Sequence, residues 1–356
     1  QDRQLREVVR HAARHVPYYQ QLFRALRLDP ARVRGVADLR RLPVLTREEV
    51  RDNLDRLVAR DLTPAQLRRR ARVAHTSGSS GAPLTVVRDL GLAHRRMAFS
   101  AFYLGLMGLG RRQRLIKIWS RPFIDRGLDD VALHHPYMRM LSLSSVPRQG
   151  QRVDAYLDWM RAFAPAYVAG PPSFLFALAR GARARGRRDV RFGVYMACFE
   201  NLYPFQRAAI EEQFGCRTFR FYSSEEDLFY AVECGQHRGL HVDCRKGVVE
   251  VVDRHGEPLP PGQRGRVVAT GLHNRVMPLI RYEMGDLATL SAEPCGCGLG
   301  LPLLSTLDGR TAEALELCGR VLYPATLSVA LEGRPHIRQC QFVRLGPRAL
   351  ELRVEP

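Results

Sequence analysis

Between Arg114 and Phe214 the chain alternates short apolar runs with longer amphipathic ones, and this alternation restricts the fold more than any other feature. RLIKIW (114–119), AYVAGPP (166–172), RFGVYMA (191–197) and CRTFRFY (216–222) have the length and branched or aromatic content of strands. The segments between them, VDAYLDWMRAF, SFLFALARGARARG and Gln206–Phe214, carry apolar residues at helical spacing. Strands separated by helices build a parallel sheet with helices packed on it. From Gly247 the pattern changes. GVVEVVD, GRVVATGL and PLIRYEMGDLATL are short strands divided by turn clusters such as HGEPLPPG, which predicts a small antiparallel β subdomain. The expected class is α/β: helix-covered mixed sheets plus this subdomain, followed by a short, apparently truncated α+β C-terminal piece. The division expected is 1–309 for the main body and 310–356 for that piece.

Elsewhere the spacing predicts two surface helices broken at Pro17, and a helix opened by Thr46 with Glu49 as its capping-box partner. A helix is also expected through Ala98–Leu106, ended by Gly108 and Gly110. No apolar run reaches the length of a membrane span, and QDRQLREVVRHAARHVPYY lacks the continuous apolar core of a secretory signal.

The formal charge of +19 suggests a nucleic-acid binder, but its make-up argues against one. Of 55 basic residues only Lys117 and Lys246 are lysine, and the arginines are spread over the whole chain. The densest run, Arg68-Arg69-Arg70 with Arg72, has no interleaved aromatics on which bases would stack. The excess charge bears instead on attraction of small anions.

Three segments carry chemistry. In Thr76-Ser77-Gly78-Ser79-Ser80-Gly81, hydroxyls and glycines between apolar flanks suit wrapping of N–H and O–H groups around an anion. Ala82 and Pro83 follow, so it is not a Walker loop. Phe221-Tyr222-Ser223-Ser224-Glu225-Glu226 follows a strand, where open α/β sheets hold ligands; its aromatic can stack a base and its carboxylate can hold Mg²⁺. Arg281-Tyr282-Glu283-Met284-Gly285-Asp286 ends another apolar run, and a carboxylate there can accept from two ribose hydroxyls. Taken singly, each also suits an ordinary loop or turn.

The eight cysteines all lie beyond residue 197, in a chain too long to need disulfide staples. A reducing cytoplasm and metal ligation are therefore expected. Cys234-x₂-His237-x₃-His241 and Cys295-x-Cys297 offer soft and borderline donors in two clusters, suited to tetrahedral Zn²⁺ with either histidine, and Cys244 is a further candidate. Four protein ligands leave no position for water, so the site is structural rather than catalytic.

In order and spacing, TSGSSGAP, FYSSEE, PLIRYEMGDL and the Asp308-Gly309-Arg310 triplet resemble the acyl-adenylate-forming superfamily. HVPYYQQLF, LPVLTREEV, VAGPPS and AVECGQHRGLHV make the chain most similar to its phenylacetate–coenzyme A ligase branch. The resemblance implies an AMP-forming acid–thiol ligase using ATP, Mg²⁺ and coenzyme A, with an aromatic or aryl-acetic acid as substrate. It implies that Thr76, Ser77, Gly78, Ser79, Ser80 and Gly81 hold phosphate and that Tyr222 stacks adenine beside Ser223 and Ser224. Glu225 would hold Mg²⁺, Asp286 the ribose, and Arg310 would sit near the ribose at the hinge. Glu200 takes the place of an acid before the adenine pocket, although Cys198 and Phe199 replace the small residues usual there. Among the histidines it favours His241, which stands in a Gly-Leu-His setting, with His237 as the alternative.

The partners implied are a small carboxylic acid and coenzyme A, with no nucleic acid and no membrane; a homodimer is left open. Alternatives are transfer of the activated group to an amine, or a non-catalytic nucleotide-binding homologue. The last is motivated by the absence of any lysine after Lys246, since the resembled enzymes use one from a mobile C-terminal domain. Ala82 also stands where many of them have lysine, and Thr311-Ala312-Glu313 keeps one acid of a usual pair. Phe174, Phe199, Tyr195 and Trp119 lie in segments that line either the acid pocket or the core.

Overall fold

A computed structural model describes residues 1–76, 83–110, 112–119, 132–145, 153–310, 315–318, 320–322, 327 and 339–355. The chain forms two compact units. One comprises Gln1–Ser100, Ser223–Ala231 and Arg238–Ala314; the other comprises Ala101–Tyr222, Val232–His237 and Leu315–Pro356.

In the first unit, the helix Asp2–His15 buries Leu5, Val8, Val9 and Ala12 as a single stripe, with Asp2 in its first turn and Arg14 and His15 in its last. Proline at the start of the next helix, Pro17–Ala25, enforces the expected break. Thr46 caps Arg47–Asp52 as expected: its Oγ1 accepts from the Glu49 N–H at 3.2 Å, and the Glu49 carboxylate accepts from the Thr46 N–H at 2.8 Å. Ala71–His75 and Thr85–Asp89 pair as an antiparallel hairpin. The β subdomain is antiparallel throughout, with strands side by side in the order Gly247–Val252, Arg264–Gly271, Tyr282–Leu290, Leu303–Arg310 and Leu240–Val242.

The second unit holds the parallel sheet that the alternation predicts. Arg217–Tyr222, Val194–Ala197, Tyr167–Gly170, Leu115–Ile118 and Met140–Leu143 run parallel in that order, and Ala132–His135 adds one antiparallel edge strand. Helices Val153–Phe163, Pro172–Ala184 and Pro204–Phe214 supply Tyr156, Leu157, Leu175, Leu178, Ile210 and Phe214 to a core that also holds Ile116, Ile118 and Val168. Gly170 is required for close approach: a Cβ there would lie 2.7 Å from that of Ile118. Phe174 and the fully buried Tyr195 belong to this core, while Phe199 is 63% exposed. Two antiparallel pairs, Leu315–Leu317 with Arg320–Leu322 and Gln339–Gly346 with Ala349–Glu355, belong to the same unit. Among the described residues no helix is long and apolar enough to cross a membrane.

Candidate functional site

Residues 77–82, and so Ser77–Gly81, lie outside the described residues, but the base of their loop is well defined. The Thr76 N–H donates to the Leu84 carbonyl at 3.0 Å, and the Leu84 N–H donates to Thr76 Oγ1 at 2.9 Å. Arg47 Nη2 also donates to Thr76 Oγ1, at 2.9 Å. Arg47 is held there by the backbone. The Leu45 N–H donates to the Arg281 carbonyl at 2.8 Å and the Glu283 N–H donates to the Leu45 carbonyl at 3.0 Å, bridging Leu45 to Tyr282. Arg47 reaches the Tyr282 hydroxyl as well, and that hydroxyl donates to Glu226 Oε1 at 3.1 Å. Burial, then Glu226, keep Tyr282 protonated far above neutral pH, with Arg47 acting in the opposite direction. The first unit therefore connects parts of all three chemical segments through one guanidinium.

The turn after Tyr222 is dense in charge. Glu225 pairs with Arg88, which lies on the same face of its strand as the buried Val86. Asp227 has φ of +58°, in the left-handed region, and its buried carboxylate oxygen Oδ1 accepts from Lys246 Nζ at 2.9 Å and from the Tyr230 hydroxyl at 3.0 Å. Burial lowers the pKa of Lys246, while Asp227 acts to raise it. Arg88 Nε, Ser224 Oγ and Asp227 Oδ2 are buried without a hydrogen-bond partner. Each such group costs about 1–3 kcal/mol unless a ligand or water satisfies it.

Asp286 and Arg310 are register partners on neighbouring strands, with Arg310 Nε 3.3 Å from Asp286 Oδ1. Gly285, at φ of +75°, precedes the aspartate where the register against strand Arg264–Gly271 is irregular. Tyr222 and Glu200 belong to the second unit. Tyr222 ends its strand half-buried. Glu200 accepts from the Ser173 N–H at 3.1 Å, at the start of helix Pro172–Ala184. Burial pushes the neighbouring Cys198 thiol up to about 12, so it is inert at neutral pH.

Of the expected metal ligands, His241, Cys295 and Cys297 belong to the first unit and Cys234 to the second. In the first unit Cys297 Sγ is 3.3 Å from His241 Nε2. In the second unit the Gln236 N–H donates to Cys234 Sγ at 3.4 Å, a bond that stabilises thiolate charge. His237, in the same unit, has φ of +53° and turns to Glu233, 3.2 Å away, and to Arg207. Cys244, in the first unit, donates its Sγ–H to the Val242 carbonyl at 3.8 Å. Cys234, His241 and Cys295 are buried and Cys297 is half-buried.

Sequence reasoning missed Arg47, Arg88 and the Lys246–Asp227 pair. In TVVRD the adjacent valines Val86 and Val87 point to opposite faces, so the sequence carried no signal that Arg88 lies on the buried one.

No protein-family model matches the chain. It is 28% identical over 346 residues to a phenylacetate–coenzyme A ligase of Thermus thermophilus, covering 95% of this chain and 75% of the relative. The ligase of that name from Escherichia coli is 24% identical, with 95% and 76% covered. Among solved structures, 2-hydroxyisobutyryl-CoA ligase in its postadenylation state superposes with a TM-score of 0.82 at 20% identity, over 99% of this chain and 77% of that one. The chain thus spans about three quarters of the length of these proteins. Its fold is that of the acyl-adenylate-forming ligases. In sequence it is similar to the phenylacetate–coenzyme A ligases of both organisms.

Proposed function

We propose that this protein is an ATP-dependent acid–thiol ligase that converts a carboxylic acid, of the aromatic or aryl-acetic class, to its acyl-adenylate and passes the acyl group to coenzyme A. The observation that carries this reading is the joining of Thr76, Tyr282 and Glu226 through Arg47, with Glu225 next in sequence and Asp286 on the Tyr282 strand.

In the first step a carboxylate oxygen attacks the α-phosphorus of ATP, an O–P bond forms, and the bond to pyrophosphate breaks. The nucleophile is already ionised, so no general base is required; the chain must bring two anions together and spread the developing charge. Thr76–Gly81 are assigned to phosphate, Tyr222, Ser223, Ser224 and Glu200 to the adenine end, Asp286 and Arg310 to the ribose. Glu225 would hold Mg²⁺, which neutralises polyphosphate charge when bound. In the second step the thiol attacks the acyl carbonyl and AMP leaves. Residues 310–356 are assigned to a C-terminal part that moves between these steps. Cys234, His241, Cys295 and Cys297 would hold a structural Zn²⁺, and this thiol chemistry suits the cytoplasm.

The test is acid-dependent exchange of labelled pyrophosphate into ATP over a panel of aryl acids, followed by thioester analysis with coenzyme A. Exchange together with thioester supports the reading. Nucleotide binding with no exchange for any acid overturns adenylation, and exchange that turns over only with an amine overturns the acceptor.

A further inference from the structure

A second group of metal-binding side chains lies well apart in sequence from the segments discussed above. We propose that His11, His15 and Asp61 form a site for a borderline divalent transition-metal ion, independent of both the cysteine cluster and the ligase reading. One ligand atom from each residue lies within 4.8 Å of the others. His11 and His15 are one helical turn apart in Asp2–His15 and so share a face, with ring centroids 5.0 Å apart.

The tautomer of His11 is fixed by its surroundings. Its Nε2 lies 2.7 Å from the Arg275 carbonyl oxygen, which can only accept, so Nε2 carries the proton and Nδ1 keeps the lone pair. Metal-bound imidazoles are oriented by a hydrogen bond of this kind from the other ring nitrogen. Asp61 is brought to the helix by its neighbours: the Arg60 N–H donates to the His15 carbonyl at 2.8 Å, and the Ala59 N–H donates to the Val276 carbonyl at 2.8 Å. Backbone hydrogen bonds therefore hold the Asp61 segment, and the residue next to Arg275, close to the helix, which lowers the ordering cost of binding.

Two imidazole nitrogens and one carboxylate oxygen favour Zn²⁺, Ni²⁺ or Cu²⁺ over Mg²⁺ or Ca²⁺, which prefer all-oxygen sets. Asp61 is exposed, so solvent can complete the coordination. A bound ion would clamp the end of the first helix to the 59–61 segment and, through His11, to Arg275.

The experiment is equilibrium dialysis of the full, untagged chain against micromolar free Zn²⁺, comparing the parent with His15→Ala, Asp61→Asn, Cys295→Ser and Cys295→Ser/Asp61→Asn. The parent is expected to bind two Zn²⁺ equivalents, one of which His15→Ala and Asp61→Asn lose or bind at least about tenfold more weakly; Cys295→Ser loses only the other, so that Cys295→Ser/Asp61→Asn loses both. Asp61→Asn alters an exposed group and keeps the test valid if the histidine variant fails to fold. Equal zinc in the parent and Asp61→Asn, or equal zinc in Cys295→Ser and Cys295→Ser/Asp61→Asn, would overturn the proposal.

Discussion

Asp286 and Arg310 face one another across two antiparallel strands, with Nε and Oδ1 3.3 Å apart, so the side chains assigned to the ribose and the hinge share one ion pair. The Asp286→Asn variant keeps the shape and removes the charge. Charge-assisted hydrogen bonds contribute about 1.5–3 kcal/mol, so the KM for ATP in pyrophosphate exchange is expected to rise about 10- to 100-fold. A change within about twofold would remove Asp286 from the nucleotide site.

Glu225 is held by Arg88 and remains partly exposed. Glu225→Gln is expected to lower Mg²⁺-dependent exchange by at least about 100-fold, the size typical of removing one preorganised charge contact. Its melting temperature should stay near that of the parent, because a partly exposed ion pair contributes about 0–1 kcal/mol. Exchange that keeps its rate and Mg²⁺ dependence in the variant would refute the assignment.

The Lys246–Asp227 pair is fully buried, at 1% side-chain exposure for both partners. Removing one partner leaves a buried charge, so Lys246→Met should cost about 3–5 kcal/mol in denaturant unfolding. The double variant Lys246→Met/Asp227→Asn should recover part of that loss, and equal costs for the single and double variants would contradict the pairing.

Stability should depend on pH through His273. Burial first, then repulsion by Arg95, Lys246 and Arg275, lower its pKa against the helping carbonyl of Arg245. Arg95 Nη1 donates to Nδ1 at 2.6 Å and Nε2 donates to the Arg245 carbonyl at 2.7 Å, so the folded site holds a neutral ring. The unfolded chain binds the proton more readily, with a pKa of about 6.5, so stability falls as pH drops below that value towards the folded pKa. Melting temperatures from pH 8 to 5 should show this decline, and His273→Gln should flatten it.

Purified protein is expected to carry about one zinc in the cysteine cluster, and Cys295→Ser or strong chelation should remove it and lower the melting temperature. Metal content unchanged in Cys295→Ser would disprove the site. This ion is separable from one at His11, since the two sets of ligands share no residue.

Local periodicity made four of the five parallel strands, Leu115–Ile118, Tyr167–Gly170, Val194–Ala197 and Arg217–Tyr222, legible, because each must be apolar enough to be covered on both faces; Met140–Leu143 was not read. The capping box at Thr46 was legible for a similar reason: its partners lie three residues apart. The cysteine spacing left the choice of histidine open, and it does not encode the left-handed backbone that turns His237 to Glu233. Arg47 was not legible at all. Its partners include Tyr282, more than two hundred residues away, and only sheet pairing at Leu45 brings them together.

That pairing has a mechanical corollary. Leu45 is bonded through the backbone to both neighbours of Tyr282, so the reach of Arg47 is indexed to the position at which the chain joins the strand. Inserting a single residue between Leu45 and Arg47 would slide the guanidinium away from the threonine and the tyrosine together. Side-chain replacements along this stretch are graded perturbations; a change in its length uncouples the loop from the sheet in one stroke.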